Sequence, residues 1–275
     1  MATNYYLGSG NWDATTSWSL GSVPVNAEDV LVDRGNYAIP GFDASAVDLT
    51  SLRIGAGFTG TLGSAAVPMQ INAVTTHITG SQGCYLKGAT GKLLQNIIID
   101  KRYAVDTPVQ IGGYVTTIDI LRGNVTLAGD INTDSTSNVY IMHHGNIMND
   151  VKVVVDAGAL ITNLHIHGGL TTLNSGVSNV YIYEGEIEHL TGSVGSGVNL
   201  YGGLYEWKAD ETITTLIAIG GKFDATGNIG GTAAPTITTL RQTVNAIVDL
   251  RNGLSNIVIT NAATLHGTTG PLEDN

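Results

Sequence analysis

Residues 118–123 read IDILRG, and residues 180–185 read VYIYEG. Both stretches place apolar residues at alternate positions and end on glycine, as do LRIGAG at 52–57 and VYIMHHG at 139–145. Apolar residues two positions apart point to the same face of a β-strand, and glycine lets the chain bend where a strand ends. The pattern therefore predicts a short strand followed by a bend, repeated along the chain.

The repeat has a period of about 21 residues when the second apolar residue of each strand is taken as its register position. The register positions are Val32, Ile54, Ile78, Ile99, Ile120, Ile141, Ile166, Ile182, Leu200, Ile219, Leu240 and Ile259. A second short strand follows the glycine in many units, as in NVTL from Asn124. A strand, a bend, a second strand and a polar turn form one coil of a parallel β-helix. We therefore predict an all-β fold, a single-stranded parallel β-helix of about twelve coils with an N-terminal cap, right-handed by the rule for parallel crossovers.

The composition agrees with this fold class and excludes others. The chain has 275 residues, 13% of them charged, with 36 glycines and 6 prolines. So little charge argues against a helical bundle, and glycine without a strict period of three argues against collagen. The net charge of −11 disfavours nucleic acid and anionic membrane as partners. The single cysteine, Cys84, is expected to be a small buried residue.

The two ends of the chain differ from the middle. We expect a capping or docking segment at 1–29, the β-helix at 30–266 and a C-terminal tail at 267–275. The first segment is rich in aromatic residues that can cover the open edge of the first coil. The candidate cap and docking residues are Tyr5, Tyr6, Trp12 and Trp18.

A resemblance covers about 35 residues of this N-terminal region. Gly10-Asn11-Trp12 is followed by Trp18-Ser19-Leu20-Gly21, by Val23-Pro24 and by Asp29-Val30. This segment resembles the one that precedes β-helical regions in phage virion proteins and bacterial surface proteins. The resemblance implies that a β-helix begins here and names no activity.

The sequence offers little support for catalysis. The stretch 55–60 matches G-x-G-x-x-G, but the residues after it do not predict the helix that a dinucleotide site requires. Glu184, Glu186 and Glu188 alternate and would share one face if their strand stayed regular through Gly185. We read them as an exposed strand face and predict no catalytic residue and no cofactor.

Histidines form the most specific candidate for a metal site. Placing the glycine bends in register aligns His144, His167 and Glu184 in successive units, with His143, His165 and His189 nearby. Stacked coils would bring these side chains about 5 Å apart, within reach of one divalent metal. Stacked imidazoles on an outer face also occur without a metal, and we predict no metal site.

Aromatic residues gather in the later coils, and they would form a surface for sugar or for another subunit if they faced outward. Tyr140 and Tyr181 lie between two register positions, so strand alternation predicts that both point outward. The full set is Tyr140, Tyr181, Tyr183, Tyr201, Tyr205 and Trp207.

Together these features predict a non-enzymatic structural protein of a phage particle, most simply a capsid decoration or cement protein. Its expected partners are the major capsid protein and further copies of itself in a homotrimer. No secretion signal is recognised at the start of the sequence, so we expect synthesis in the host cytoplasm and a place in the virion. One alternative is a receptor-binding or tailspike-type protein that recognises, and even cleaves, cell-surface polysaccharide. A bacterial surface adhesin is the second alternative.

Overall fold

The computed structural model describes residues 2–89, 94–101, 107–142, 151–227, 234–251 and 257–264, without the side chains of 133–137 and 263–264. One 3-10 turn, Thr15–Ser17, makes up the helical content of about 1%. The strands are β1 (Thr3–Tyr5), β2 (Asp29–Val32), β3 (Asp43–Ile54), β4 (Thr61–Leu62), β5 (Met69–Ile78), β6 (Gly83–Gly88), β7 (Leu94–Asp100), β8 (Pro108–Leu127), β9 (Asn132–Ile141), β10 (Val151–Val155), β11 (Ile161–Leu173), β12 (Val177–His189), β13 (Val194–Leu200), β14 (Leu204–Trp207), β15 (Thr212–Ala218), β16 (Lys222–Asp224), β17 (Thr236–Gln242), β18 (Ile247–Asp249) and β19 (Val258–Thr264).

These strands pair in parallel from one coil to the next and form a β-helix, which confirms the predicted fold class. The rod has about ten turns, slightly fewer than the predicted twelve. The prediction counted register strands, and the strands at the two ends do not each add a complete turn. The apolar side chains fill the inside of the rod as a single core.

The predicted register is confirmed from the first coil to Leu200. Each register residue pairs with the next one along the chain, as Ile120 does with Ile141 and Ile141 with Ile166. All nine of these side chains are fully buried. The column runs through Val32, Ile54, Ile78, Ile99, Ile120, Ile141, Ile166, Ile182 and Leu200.

The last three predicted register positions are wrong. Leu200 pairs with Ala218 and not with Ile219, and the column continues to Gln242 and Thr264. Ala218 is fully buried, whereas Ile219 is exposed. The larger aliphatic side chain misled the prediction, since burial here follows position in the coil and not side-chain size.

Glycines mark the corners between the first and second strand of a coil, as predicted. In the later coils Gly185 has φ +87° and Gly203 has φ +73°, which are left-handed conformations that favour glycine. A Cβ on Gly203 would lie 2.5 Å from the carbonyl oxygen of Gly185 in the coil before. This corner therefore needs glycine both for its backbone angle and for the close approach of the neighbouring coil.

The N-terminal segment closes one end of the rod. Strand β1 adds a further parallel strand to β2, and Asn4 stands opposite Val30 at a buried core position. The Asn4 amide nitrogen donates to the carbonyl oxygen of Ser22 (3.0 Å), and its Oδ1 accepts from the backbone N–H of Leu20 (3.3 Å). A polar side chain thus ends the buried column that runs through Val30 and Leu52, two residues before the register column, with its hydrogen bonds made inside its own segment.

A candidate contact surface of stacked aromatic rings

Residues on either side of a register position point out of the rod, because side chains alternate along a strand. On successive coils these outward positions hold tyrosine or histidine, and equivalent residues lie one above the other. We call the resulting surface the aromatic strip. It consists of two columns, Tyr140, His165 and Tyr181 in the first and His167, Tyr183 and Tyr201 in the second.

The rings of the first column are stacked face to face. The ring centroids of Tyr140 and His165 are 4.7 Å apart, and those of His165 and Tyr181 are 4.6 Å apart. The rings of the second pair are nearly parallel, with an angle of 9° between the ring planes. The ring spacing matches the distance of about 4.8 Å between paired strands, so the coil repeat itself sets the stack.

The second column repeats this geometry. The ring centroids of His167 and Tyr183 are 4.3 Å apart, and those of Tyr183 and Tyr201 are 5.0 Å apart. Tyr183 is 37% exposed and Tyr201 is 42% exposed. Because the faces of Tyr183 are covered by its neighbours in the column, the strip presents ring edges and hydroxyl groups to the solvent.

The six residues of the strip are all tyrosine or histidine, and the exposed Glu184 follows Tyr183 at the edge of the strip. Burial, and to a smaller extent the nearby His167, lowers the pKa of His165, which favours its neutral form. Burial, followed by the neighbouring tyrosines, raises the pKa of Tyr183, which favours its neutral phenol. Both shifts keep charge off these rings at neutral pH.

Polar and apolar groups extend the strip on one side. Asn138, Asn163 and Asn179 occupy equivalent outward positions on successive coils. The Asn179 amide nitrogen donates to Oδ1 of Asn163 (3.1 Å). Farther along the same coils lies a groove of about 290 Å³ that is lined by Leu160 and Gly195, among others. The strip therefore continues into a surface of amides and small apolar side chains.

The face beyond the glycine corner has the opposite character. Its second strands align four carboxylates, and basic side chains neutralise them. Lys208 Nζ lies 2.7 Å from Glu188 and 3.0 Å from Glu206, and these hydrogen bonds raise the lysine pKa. We call this surface the charged face; its carboxylates are those of Glu188, Glu206, Asp224 and Asp249.

The other two carboxylates of the charged face are paired as well. Lys222 Nζ lies 2.5 Å from Asp224, and Arg251 lies 2.7 Å from Asp249. The hydrogen bond from Arg251 lowers the pKa of Asp249. These carboxylates are thus held as anions in ion pairs, which suits a solvated structural face and not a proton-transferring pair.

The interior holds one buried amine. Lys101 is fully buried, and its Nζ donates to the carbonyl oxygens of Ser81 and Thr107 (both 3.1 Å) and to the Thr107 hydroxyl. Burial lowers the pKa of Lys101 to about 8. Cys84 is buried nearby, as predicted, and burial raises the pKa of its thiol to about 12. Such a thiol is a packing group at neutral pH and not a nucleophile.

The four candidate cap and docking residues occupy different environments. Tyr6, Trp12 and Trp18 are buried, whereas Tyr5 is 42% exposed. Trp18 packs edge-on against Trp12 (4.8 Å) and Tyr6 (5.6 Å), and Tyr6 reaches Phe58 of the first coils (6.1 Å). The three buried rings therefore cover the end of the rod, and of the four only Tyr5 offers its ring to a partner. Docking through this segment stays a prediction.

The glutamates and the histidine column are only partly brought together. Gly185 bends the chain, so Glu184 lies on the strip side of the corner, and Glu186 and Glu188 lie beyond it. His167 and Glu184 are adjacent across two coils, as predicted, but His143 and His144 lie outside the described residues. Within the described part of the chain no group of three or more His, Cys, Asp or Glu side chains is placed to hold a metal ion.

Two residues of the aromatic cluster have a different place from the other four. Tyr140 and Tyr181 point outward, as alternation predicted, and Tyr183 and Tyr201 join them in the strip. Tyr205 and Trp207 are fully buried against Phe223 inside the rod. Their strand follows the glycine corner, which changes the phase of the alternation. The residues that face inward in that strand must therefore be predicted from its own apolar pattern.

Comparison with known proteins supplies no family for this chain. No protein-family model, no curated protein and no solved structure matches it. In the residues that the structure describes, no helix has the length and apolar character needed to cross a membrane.

Proposed function

We propose that this chain is a non-enzymatic structural protein of a phage particle, a capsid decoration or cement protein that acts through protein–protein contacts. In this proposal the N-terminal end of the rod docks on the capsid, and the side of the rod braces it against its neighbours. The chain is made in the host cytoplasm and works in the virion.

The observation that carries the proposal is the gathering of exposed apolar side chains at the N-terminal end. Of the sixteen large hydrophobic residues that are exposed in the described chain, six lie within the first 42 residues. Exposed apolar side chains that form a contiguous patch are typical of protein interaction sites. The six are Tyr5, Leu7, Leu20, Val25, Tyr37 and Phe42.

The geometry of the aromatic strip favours protein contact over polysaccharide binding. A sugar ring stacks on the open face of an aromatic side chain, and the faces of His165 and Tyr183 are covered by rings above and below. Ring edges and hydroxyl groups instead suit the mixed apolar and hydrogen-bonding core of a protein interface.

The docking role can be tested with surface variants that leave the buried cap rings intact. Capsids lacking this protein would be mixed with purified wild type or with the variant Leu20→Asp/Val25→Asp, and the bound copies counted. Both side chains are about half exposed. Burying two carboxylates there in a contact with a partner should cost free energy, because each charge loses its hydration. We expect binding to fall at least tenfold.

The matched control is Val244→Asp/Val258→Asp, which places two carboxylates at exposed valines of the last described coils, away from the cap, and should bind like wild type. Full binding by the cap variant would overturn docking through this end. Release of reducing ends from host polysaccharide by the wild-type protein would instead favour the tailspike-type alternative.

A further inference from the structure

We infer that the aromatic strip is a self-association surface, against which a second copy of this chain lies side by side and parallel. This deepens the proposed function by naming the partner of the strip. It relies on capsid docking only for the common orientation of the copies.

The chemistry of the strip is self-complementary. Tyrosine hydroxyls and asparagine amides each donate and accept hydrogen bonds, so two identical surfaces of this kind can satisfy one another. Asn179 already does so with Asn163 within one chain. A surface of one charge sign would need a partner of the opposite sign, and the strip needs none.

Net charge limits where two copies can meet. The chain carries a net charge of −11, so two copies repel each other over most of their surface. The strip is made of tyrosine and histidine rings, with the exposed Glu184 at its edge next to Tyr183, and the charged face lies on the other side of the glycine corner. Contact through the rings of the strip therefore brings few like charges together, with aromatic groups of the type enriched in interface cores.

The size of the strip favours a partner that is itself a rod. The outward residues from Tyr140 to Ile219 span about five coils, or about 24 Å along the axis. With the amides and the groove beside Leu160, the flat area is about 500 Å². A stable interface needs about 800 Å² from each partner, so the occupant has to follow the same face onto neighbouring coils, where the first column continues to Asp119 at one end and Arg241 at the other. A parallel second copy, with the same straight face and the same coil spacing, does this.

A parallel arrangement also places every N-terminal cap at one end of the assembly. Closed rotational symmetry about an axis parallel to the rods is then the simplest arrangement. The homotrimer expected from the sequence is one such arrangement, and it has a mass of about 86 kDa from three chains of 28.6 kDa.

The first test measures the mass of the purified protein by light scattering, without any capsid. Wild type should have the mass of the trimer, and Tyr183→Lys/Tyr201→Lys should have the mass of one chain, because two lysines would be buried in the contact. The matched control, Tyr5→Lys/Tyr37→Lys, changes two tyrosines of similar exposure (42% and 40%) and should stay trimeric. Circular dichroism melting checks that each variant is folded.

A second test does not depend on removing any ring. Asn199→Cys places a thiol beside Tyr181 on the next coil, while the native Cys84 is buried and unreactive. Mild oxidation should yield a covalent dimer. The control, Lys152→Cys, carries its thiol on an exposed position beyond the glycine corner and should not cross-link.

A wild-type mass of 28.6 kDa at concentrations near 100 μM, about what weak association requires, would overturn self-association. Equal cross-linking of both cysteine variants would overturn the assignment to the strip. Neither result bears on capsid docking, which the cap variants test separately.

Discussion

The aromatic strip and the charged face belong to the same coils, yet they solve the problem of repetition in opposite ways. A parallel β-helix puts equivalent residues about 4.8 Å apart. Similar side chains on successive coils are therefore direct neighbours. Tyr183 on Tyr201 is stabilised by stacking, whereas Glu188 beside Glu206 needs Lys208 between them. Aromatic rings on successive coils stabilise one another by stacking, whereas like charges on successive coils repel and need opposite charges between them.

If both faces cover one shared interior, a substitution in that interior should lower the free energy of unfolding more than a substitution on either surface. Trp207 is fully buried behind the charged face and packs on Phe223. Trp207→Ala should lower the free energy of unfolding by about 3–5 kcal/mol, measured as a shift in the urea unfolding midpoint. A loss no larger than that of Tyr201→Ala on the strip would contradict a common core.

A substitution at the glycine corner that separates the two faces should cause the second-largest loss of stability. Gly203→Ala adds a Cβ at φ +73° and within 2.5 Å of the Gly185 carbonyl oxygen, which should cost about 2–3 kcal/mol. Gly195→Ala is the matched control, because a Cβ there meets no atom within 4 Å. Thermal melts of the two variants should differ clearly, and equal melting temperatures would show that the corner tolerates a side chain.

Salt should distinguish the two faces. Lys208→Met breaks two ion pairs on a partly exposed surface and should cost about 0.5–1 kcal/mol at low ionic strength, and less in 1 M salt. Tyr181→Ala removes one ring from its stack and should cost about 1 kcal/mol at either salt concentration. Chemical unfolding at both salt concentrations gives the four values, and a salt-dependent loss for Tyr181→Ala would remove the distinction.

Acid should have the smallest effect and should act through the strip. The pKa of His165 is lowered in the folded chain, by burial first and by His167 second, so the unfolded chain binds the proton more readily. The stability contributed by the neutral ring is therefore present above the unfolded pKa, near 6.5, and is lost as the pH falls below it. The melting temperature of wild type relative to that of His165→Phe, which leaves His189 in place, should fall as the pH is lowered from 7.5 to 5. A constant difference would contradict this.

Much of the fold follows from the sequence, because a β-helix repeats the same local requirement in every coil. Alternating Val, Ile and Leu before a glycine located the register column as far as Leu200 and predicted the outward direction of Tyr140 and Tyr181. The column was misplaced at Ile219, although the pairs Gly202-Gly203 and Gly220-Gly221 could have aligned Ala218 with Leu200. Right-handed winding stays a prediction.

The surfaces were harder to predict than the column. Coil lengths vary, so stacking between His165 and its neighbours depends on a register that a single strand does not reveal. Which residues point inward in the strand after a corner also does not follow from the alternation in the strand before it. For this reason the sequence does not separate the buried Tyr205 and Trp207 from the outward tyrosines, or Glu184 from Glu186 across the Gly185 bend.

Asn4 has a consequence for end-to-end association of the rods. Cross-β filaments grow because each terminal strand is a template for the next, and a rod with an apolar column open at both ends would polymerise as its concentration rose. Here the last core position belongs to a side chain whose hydrogen bonds are made to Ser22 and Leu20 of its own chain. An added strand would therefore meet a polar side chain that already has its hydrogen bonds, where the inner coils offer apolar side chains, and this disfavours end-to-end growth through β1.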